Sequence, residues 1–147
     1  MWNRKIVVLL LLSATFFCRE SAGKKEMVVQ DPYIVETLPG SKVAAGYMKL
    51  TNQMGKPARL IGAEAQVSEY VEIHFMGELD GVMKMEHLKA IDLADGETVI
   101  FQSGSYHIMF IEILKPLQPG MNVPVTLKFE EAPDLEVVFP VRKLVED

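Results

Sequence analysis

Residues 74–87 read HFMGELDGVMKMEH, and residues 106–110 read YHIMF. All three histidines of the chain, His74, His87 and His107, fall within residues 74–109, together with four of its nine methionines, Met76, Met83, Met85 and Met109. Imidazole nitrogen and thioether sulfur are both neutral donors. Thioethers are too soft to suit Zn²⁺, Mg²⁺ or Ca²⁺, so a mixed histidine and methionine set selects copper, and Cu(I) over Cu(II). Taken singly, each residue has a plainer reading. A methionine in a β-protein usually fills the core, and a lone histidine on a strand is more often a surface or satisfied core residue than a ligand. Met48 and Met121 are read in this way as core, and Met54 as part of a loop.

Such donors act together only if the chain brings them to one face. Beyond residue 27 the sequence reads as strands and turns. Turn signals recur at LPGS (38–41), NQMGKP (52–57), LDG (79–81), ADGE (94–97), QSGS (102–105), QPGMN (118–122) and APD (132–134). Between them lie short segments rich in Val, Ile, Tyr and Phe, of which YVEIHF, TVIFQ, YHIMFIEIL, VPVTLKFE and LEVVFPV are the clearest. No stretch carries sustained helical periodicity with caps. Short strands at regular spacing predict an all-β antiparallel sandwich or barrel over about residues 27–142, with RKLVED as a polar tail.

Side chains alternate across a strand. Val71, Ile73 and Phe75 therefore share the core face, and Tyr70, Glu72, His74 and Met76 share the other. Met83, Met85 and His87 lie on one face of the next strand, and His107 and Met109 on one face of a later one. Asp80-Gly81 is a strong two-residue hairpin signal. With those two as the loop, Leu79 pairs with Val82, Glu78 with Met83, Met76 with Met85 and His74 with His87. Every histidine and methionine of the hairpin then lies on one face. Glu72 shares that face. It reads first as an ordinary solvated carboxylate and alternatively as a group that orients the His74 imidazole.

The chain of 147 residues is one domain's worth, with 49% apolar and 24% charged residues. A net charge of −5 argues against nucleic acid as a partner. The first residues read as a leader rather than as part of the domain. MWNRK is a short basic segment, and the apolar run IVVLLLLSATFF that follows is too short to span a bilayer but suits a secretory signal. Cleavage after Gly23 would give residues 24–147 as a single domain, with 12 basic and 19 acidic side chains and a charge of −7. The alternative is a lipoprotein signal ending before Cys18, although the bulky Phe17 fits such a site poorly. In either case the folded domain has no free thiol, because Cys18 is the chain's only cysteine. An exported, periplasmic or otherwise extracytoplasmic location therefore rests on the leader and not on disulfides.

The spacing of four of these residues is specific. His74 is followed by ten residues and Met85, then by twenty-one residues, His107, one residue and Met109. This H-x10-M-x21-H-x-M pattern closely resembles the PCu(A)C family of periplasmic copper chaperones. DGVMKM before the second position, GSYHIMF around the last pair and PLQPGMNVPVTLKFE near the end are similar as well. The resemblance covers roughly residues 28–141. It implies a cupredoxin-like Greek-key sandwich that holds one Cu(I) near its surface, with His74, Met85, His107 and Met109 as ligands. It also implies delivery to cytochrome c oxidase subunit II or to Sco-type assembly proteins. The chain is read as a monomer and not as an enzyme. Some family members place a methionine directly after the first histidine, where this chain has Phe75 and then Met76. The pattern does not require Met76, Met83 or His87. They leave open a tuned single site or a second, weaker one.

Other readings compete. An electron-transfer cupredoxin needs a cysteine thiolate, which a domain without cysteine cannot supply. A serine hydrolase is not supported by SGSYH, which lacks the G-x-S-x-G elbow. A copper-sequestering protein without delivery, and a β-sandwich interaction module with an incidental His/Met face, both remain. Metal affinity separates the second from a carrier, and transfer to an apo acceptor separates the first. Histidines must be neutral to bind metal, so affinity is expected to fall as pH drops through about 6.5, the ordinary histidine value.

Overall fold

A computed structural model describes residues 25–79 and 81–144. The expected leader, including Cys18 and the cleavage position after Gly23, lies outside the described residues. The described chain forms ten strands: β1 (Glu26–Val35), β2 (Val43–Gln53), β3 (Ala58–Glu64), β4 (Ser68–Leu79), β5 (Val82–Leu88), β6 (Ile91–Leu93), β7 (Thr98–Phe101), β8 (Tyr106–Ile113), β9 (Asn122–Glu130) and β10 (Leu135–Arg142). Their order across the sheet is β5-β4-β8-β7-β2-β1-β10-β9-β3-β6, with β2 also pairing β8. Most pairings are antiparallel. The exceptions are β1 with β10, and a single rung between β7 and β8. The all-β class expected from the turn spacing is the one observed, as is the cupredoxin-like fold that the family resemblance implies.

Period-two patterning builds the core. β2 alternates strictly, burying Ala44, Gly46, Met48, Leu50 and Asn52 and turning the residues between them outward. β9 does the same with Val123, Val125, Leu127 and Phe129. Inward side chains from both halves of the sheet meet in one apolar cluster. Ile34, Leu50, Ile108 and Phe110 come from one half, and Leu60, Leu127 and Phe139 from the other. The sheet therefore folds over on itself rather than lying flat. Phe110 is fully buried, and its ring lies over Gly46, where an added Cβ would sit 2.9 Å from a ring carbon. An aromatic side chain here fills the space that glycine leaves on the neighbouring strand.

Of the methionines read as core, Met48 is buried. Met121 is not. It lies at the end of the turn before β9, 39% exposed, with its sulfur accepting the Gln118 backbone N–H at 3.2 Å. Turn geometry decides that position, and alternation has no hold on it. Met54 lies in the bend after β2, as expected, and packs against the core from outside.

Candidate metal centre

β4 is the middle strand of the site, with β5 on one side and β8 on the other. The β4–β5 hairpin has the predicted register: Leu79 pairs Val82, Glu78 pairs Met83, Met76 pairs Met85 and His74 pairs His87. Gly81 has φ of 76°, the left-handed conformation that a tight turn needs and glycine adopts freely. On the other side, His74 pairs His107 and Glu72 pairs Met109. Directly opposed residues share a face of a sheet. His74, Met76, Met85, His87, His107 and Met109 therefore all project from the face opposite the buried Ile73, Ile108 and Phe110.

The three histidines form one rung across three strands. The His74 ring centroid lies 5.6 Å from that of His87 and 5.7 Å from that of His107. Met85 and Met109 occupy diagonal positions relative to His74, on adjacent strands and on opposite sides of the histidine rung. Diagonal neighbours are about 7–8 Å apart, within reach of a long side chain. The other three residues singled out by the spacing thus occupy direct or diagonal positions next to His74 in the sheet.

Their environments differ. His107 is 5% exposed, one of few buried polar residues, and Met109 is half-buried. Met85 is 49% exposed and Met83 57% exposed, and His87 is exposed as well. The β8 side of the rung is closed and the β5 side is open to water.

The hydrogen bonds set which ring nitrogen of His74 and of His107 is free. His107 Nδ1 lies 3.0 Å from the Ser105 carbonyl oxygen. A carbonyl only accepts, so Nδ1 carries the proton and Nε2 keeps its lone pair. His74 Nε2 lies 2.7 Å from Glu72 Oε2. With Nε2–H donating to the carboxylate, Nδ1 is left with a lone pair. That Nδ1 is buried and has no hydrogen-bond partner. Buried polar nitrogens are normally satisfied, and an orphan costs about 1–3 kcal/mol. A soft, weakly charged metal ion would supply the missing partner, so the donor set fits copper. The carboxylate–imidazole contact is the arrangement that fixes tautomer and ring orientation in metal-binding histidines. The first reading of Glu72, a solvated carboxylate, is therefore corrected. Its side chain is partly exposed, but its oxygen is bonded to the ring two residues on. The Ser105 carbonyl has no side-chain signal by which the sequence could have marked it.

Among the described residues, no group of three or more His, Cys, Asp or Glu side chains converges to hold a metal. The donors that this face does gather are imidazole nitrogen and thioether sulfur, a set that suits a soft ion better than a hard cation.

Comparison with solved structures places this architecture. It matches the copper-bound PCuAC domain from PmoF2 with a TM-score of 0.68 at 24% identity, covering 80% of this chain and 93% of that one. The apo PmoF2 PCuAC domain gives 0.66 at 25% identity, with 80% and 90% covered. The solution structure of CuI-DR1885 from Deinococcus radiodurans gives 0.62 at 28% identity, with 87% of each chain covered. The fold is that of a PCuAC-type domain. At the level of sequence, the chain belongs to the LpqE-like family, described as one of lipoproteins, which matches residues 27–141. A relative from Leifsonia xyli subsp. xyli, Lxx21020, also named as a lipoprotein, is 25% identical over 124 residues, covering 84% of this chain and 75% of that one.

Proposed function

We propose that the protein is an extracytoplasmic copper carrier that takes one Cu(I) as cargo through His74, Met85, His107 and Met109. It would pass the ion to the copper site of cytochrome c oxidase subunit II or to Sco-type assembly proteins. One observation carries this reading: the buried, unpartnered Nδ1 of His74 on a face shared with thioethers and a second buried histidine. The fold's likeness to the copper-bound PmoF2 domain and to CuI-DR1885 supports it.

The chemistry suits transport. Two neutral nitrogens and two neutral sulfurs leave the +1 charge of the ion uncompensated, and no thiolate locks it in place. His74 and His107 are each held in one tautomer by Glu72 and the Ser105 carbonyl, so each presents a lone pair without rearranging. The exposed Met85 is the donor an incoming thiolate ligand can displace first, with the buried His107 and Met109 released last. The lipoprotein descriptions of the family and the Leifsonia relative support export. They also weigh toward Cys18 as a lipidated residue over cleavage after Gly23. A mass measurement on the membrane fraction separates the two.

The test is an anaerobic Cu(I) competition titration against a chromophoric chelator. A single sub-nanomolar site, weakened at least hundredfold in a His107→Ala, Met109→Leu double variant, is the expected result. Met109→Leu conserves volume, so the fold is retained. Affinity no better than micromolar in the unaltered chain would reject the carrier and leave an interaction module with an incidental His/Met face. Tight binding without transfer to an apo acceptor would make it a sequestering protein.

A further inference from the structure

His87 is required neither by the spacing motif nor by the site proposed above, yet it stands directly opposite His74. The two strands flanking β4 carry the same pair of donors in mirrored order. β8 has His107-Ile108-Met109, and β5 has Met85-Glu86-His87. Each histidine pairs His74 across its own ladder, at nearly equal ring separations of 5.6 and 5.7 Å. The pairs differ in depth. His107 is buried and Met109 half-buried, whereas Met85 and His87 are exposed on an edge strand that ends the sheet.

From this juxtaposition we infer that His87 is a copper ligand, forming with Met85 and His74 an outer Cu(I) position that feeds the four-ligand site proposed above, to which His107 and Met109 bring the buried donors. The inference rests on the copper-carrier reading. His74 offers only one free nitrogen, because Nε2 is engaged by Glu72. The two positions share that nitrogen, so a single ion occupies one or the other and moves between them by ligand exchange. Copper enters as Cu(I) and leaves as Cu(I), and no electron or proton has to be supplied. Cu(I) accepts two, three or four soft or imidazole donors, so replacing His87 by His107 and Met109 around a constant His74 and Met85 never strands the ion without ligands. The solvent-facing donors meet the delivering or accepting molecule, and the buried ones hold the ion between encounters.

The experiment is the same competition titration on the full chain in three forms: unaltered, His107→Ala/Met109→Leu, and that double variant with His87→Ala added. Ring-nitrogen NMR shifts of the histidines are recorded alongside. The double variant is expected to keep a weaker Cu(I) site whose binding moves the His87 ring-nitrogen signal. Adding His87→Ala should weaken that residual site at least tenfold. His87→Gln provides a second variant at the same exposed position should the alanine perturb the edge strand. The inference is overturned if the double variant keeps no binding, or if its residual binding is indifferent to His87 and leaves the His87 ring signal unmoved. Those results would leave the carrier reading standing, provided the unaltered chain binds tightly. Failure of the unaltered chain to bind would instead overturn the carrier reading and this inference with it.

Discussion

Asn52 and His74 are both polar side chains set into the sheet, and their surroundings are opposite. Asn52 is fully buried at the end of β2 and every part of its amide is used. Its Nδ2 donates to the Lys56 carbonyl at 2.9 Å and the Leu93 carbonyl at 3.0 Å, while Oδ1 accepts the Met54 N–H at 2.9 Å. It ties β2, the following bend and β6 together. His74 is nearly as enclosed, but half of its imidazole is left without a partner. A buried polar group that is fully satisfied is a structural lock. One left half-satisfied is a cost that a folded chain carries for another reason, and here thioethers share its face of the sheet. An orphan alone is not sufficient. Ser68 Oγ is also buried without a partner, but no methionine or histidine of the rung pairs with it.

The contrast can be broken from either side. The largest effect is expected at Asn52. Asn52→Leu strips partners from two carbonyls and one N–H, and should cost roughly 3 kcal/mol in urea unfolding of the apo protein. Cu(I) affinity measured in native buffer should be little changed. A large loss of affinity at unchanged stability would erase the distinction between the two regions.

His74→Leu is the reverse case. It removes the orphaned nitrogen, and the Glu72 carboxylate left behind is exposed enough to be hydrated. Apo stability should stay within about 1 kcal/mol. Cu(I) affinity should fall about hundredfold or more, about 2.7 kcal/mol. An apo protein destabilised as strongly as by Asn52→Leu would make His74 a structural residue.

Glu72→Gln sharpens the comparison at smaller scale. The amide oxygen still accepts from Nε2–H but without charge. Loss of an outer carboxylate partner typically costs 10–100-fold in metal affinity, and the milder amide change should fall near tenfold. Unchanged affinity in the chelator titration would show that the carboxylate does not set the ring.

The smallest effect belongs to the outward face of the other half of the sheet. There Lys128 hydrogen-bonds Asp134 at 2.9 Å and pairs with Glu64 at 3.2 Å. The hydrogen bond from Lys128 holds the Asp134 carboxyl below its usual range. Stability from a depressed carboxylate is present above its unfolded value and is lost as pH falls. Lys128→Met should therefore lower stability slightly at neutral pH, because the pair is solvent-exposed, and its unfolding profile should converge with that of the unaltered chain as pH falls through the carboxylate range, with copper affinity unmoved. A change in copper affinity would show that the two outward faces are coupled.

The same two regions show how far the linear chain could be read. The β4–β5 hairpin was fully legible. The Asp80-Gly81 signal predicts a register, and the observed pairings are those of that register, with Met76, Met85, His74 and His87 on one face. Within β8, parity alone placed His107 and Met109 together. Glu72 was misjudged because its parity was visible but its bond to the His74 ring was not. Asn52 went unremarked, since nothing local distinguishes a locking amide from a turn asparagine. Met121 was misplaced because it sits in a turn, where alternation stops.

What the sequence determined by itself was local: the all-β class, the turns, and which side chains share a face of each strand. Period-two geometry and turn stereochemistry act over a few residues, so they can be read from a few residues. The tertiary structure decided that β8, more than thirty residues further along the chain, lies against β4 in the register that opposes His107 to His74. It also decided which of the two mirrored His/Met pairs is buried and which faces water. Those outcomes depend on how the whole sheet folds over its shared core, where long-range packing sets the depth of each strand.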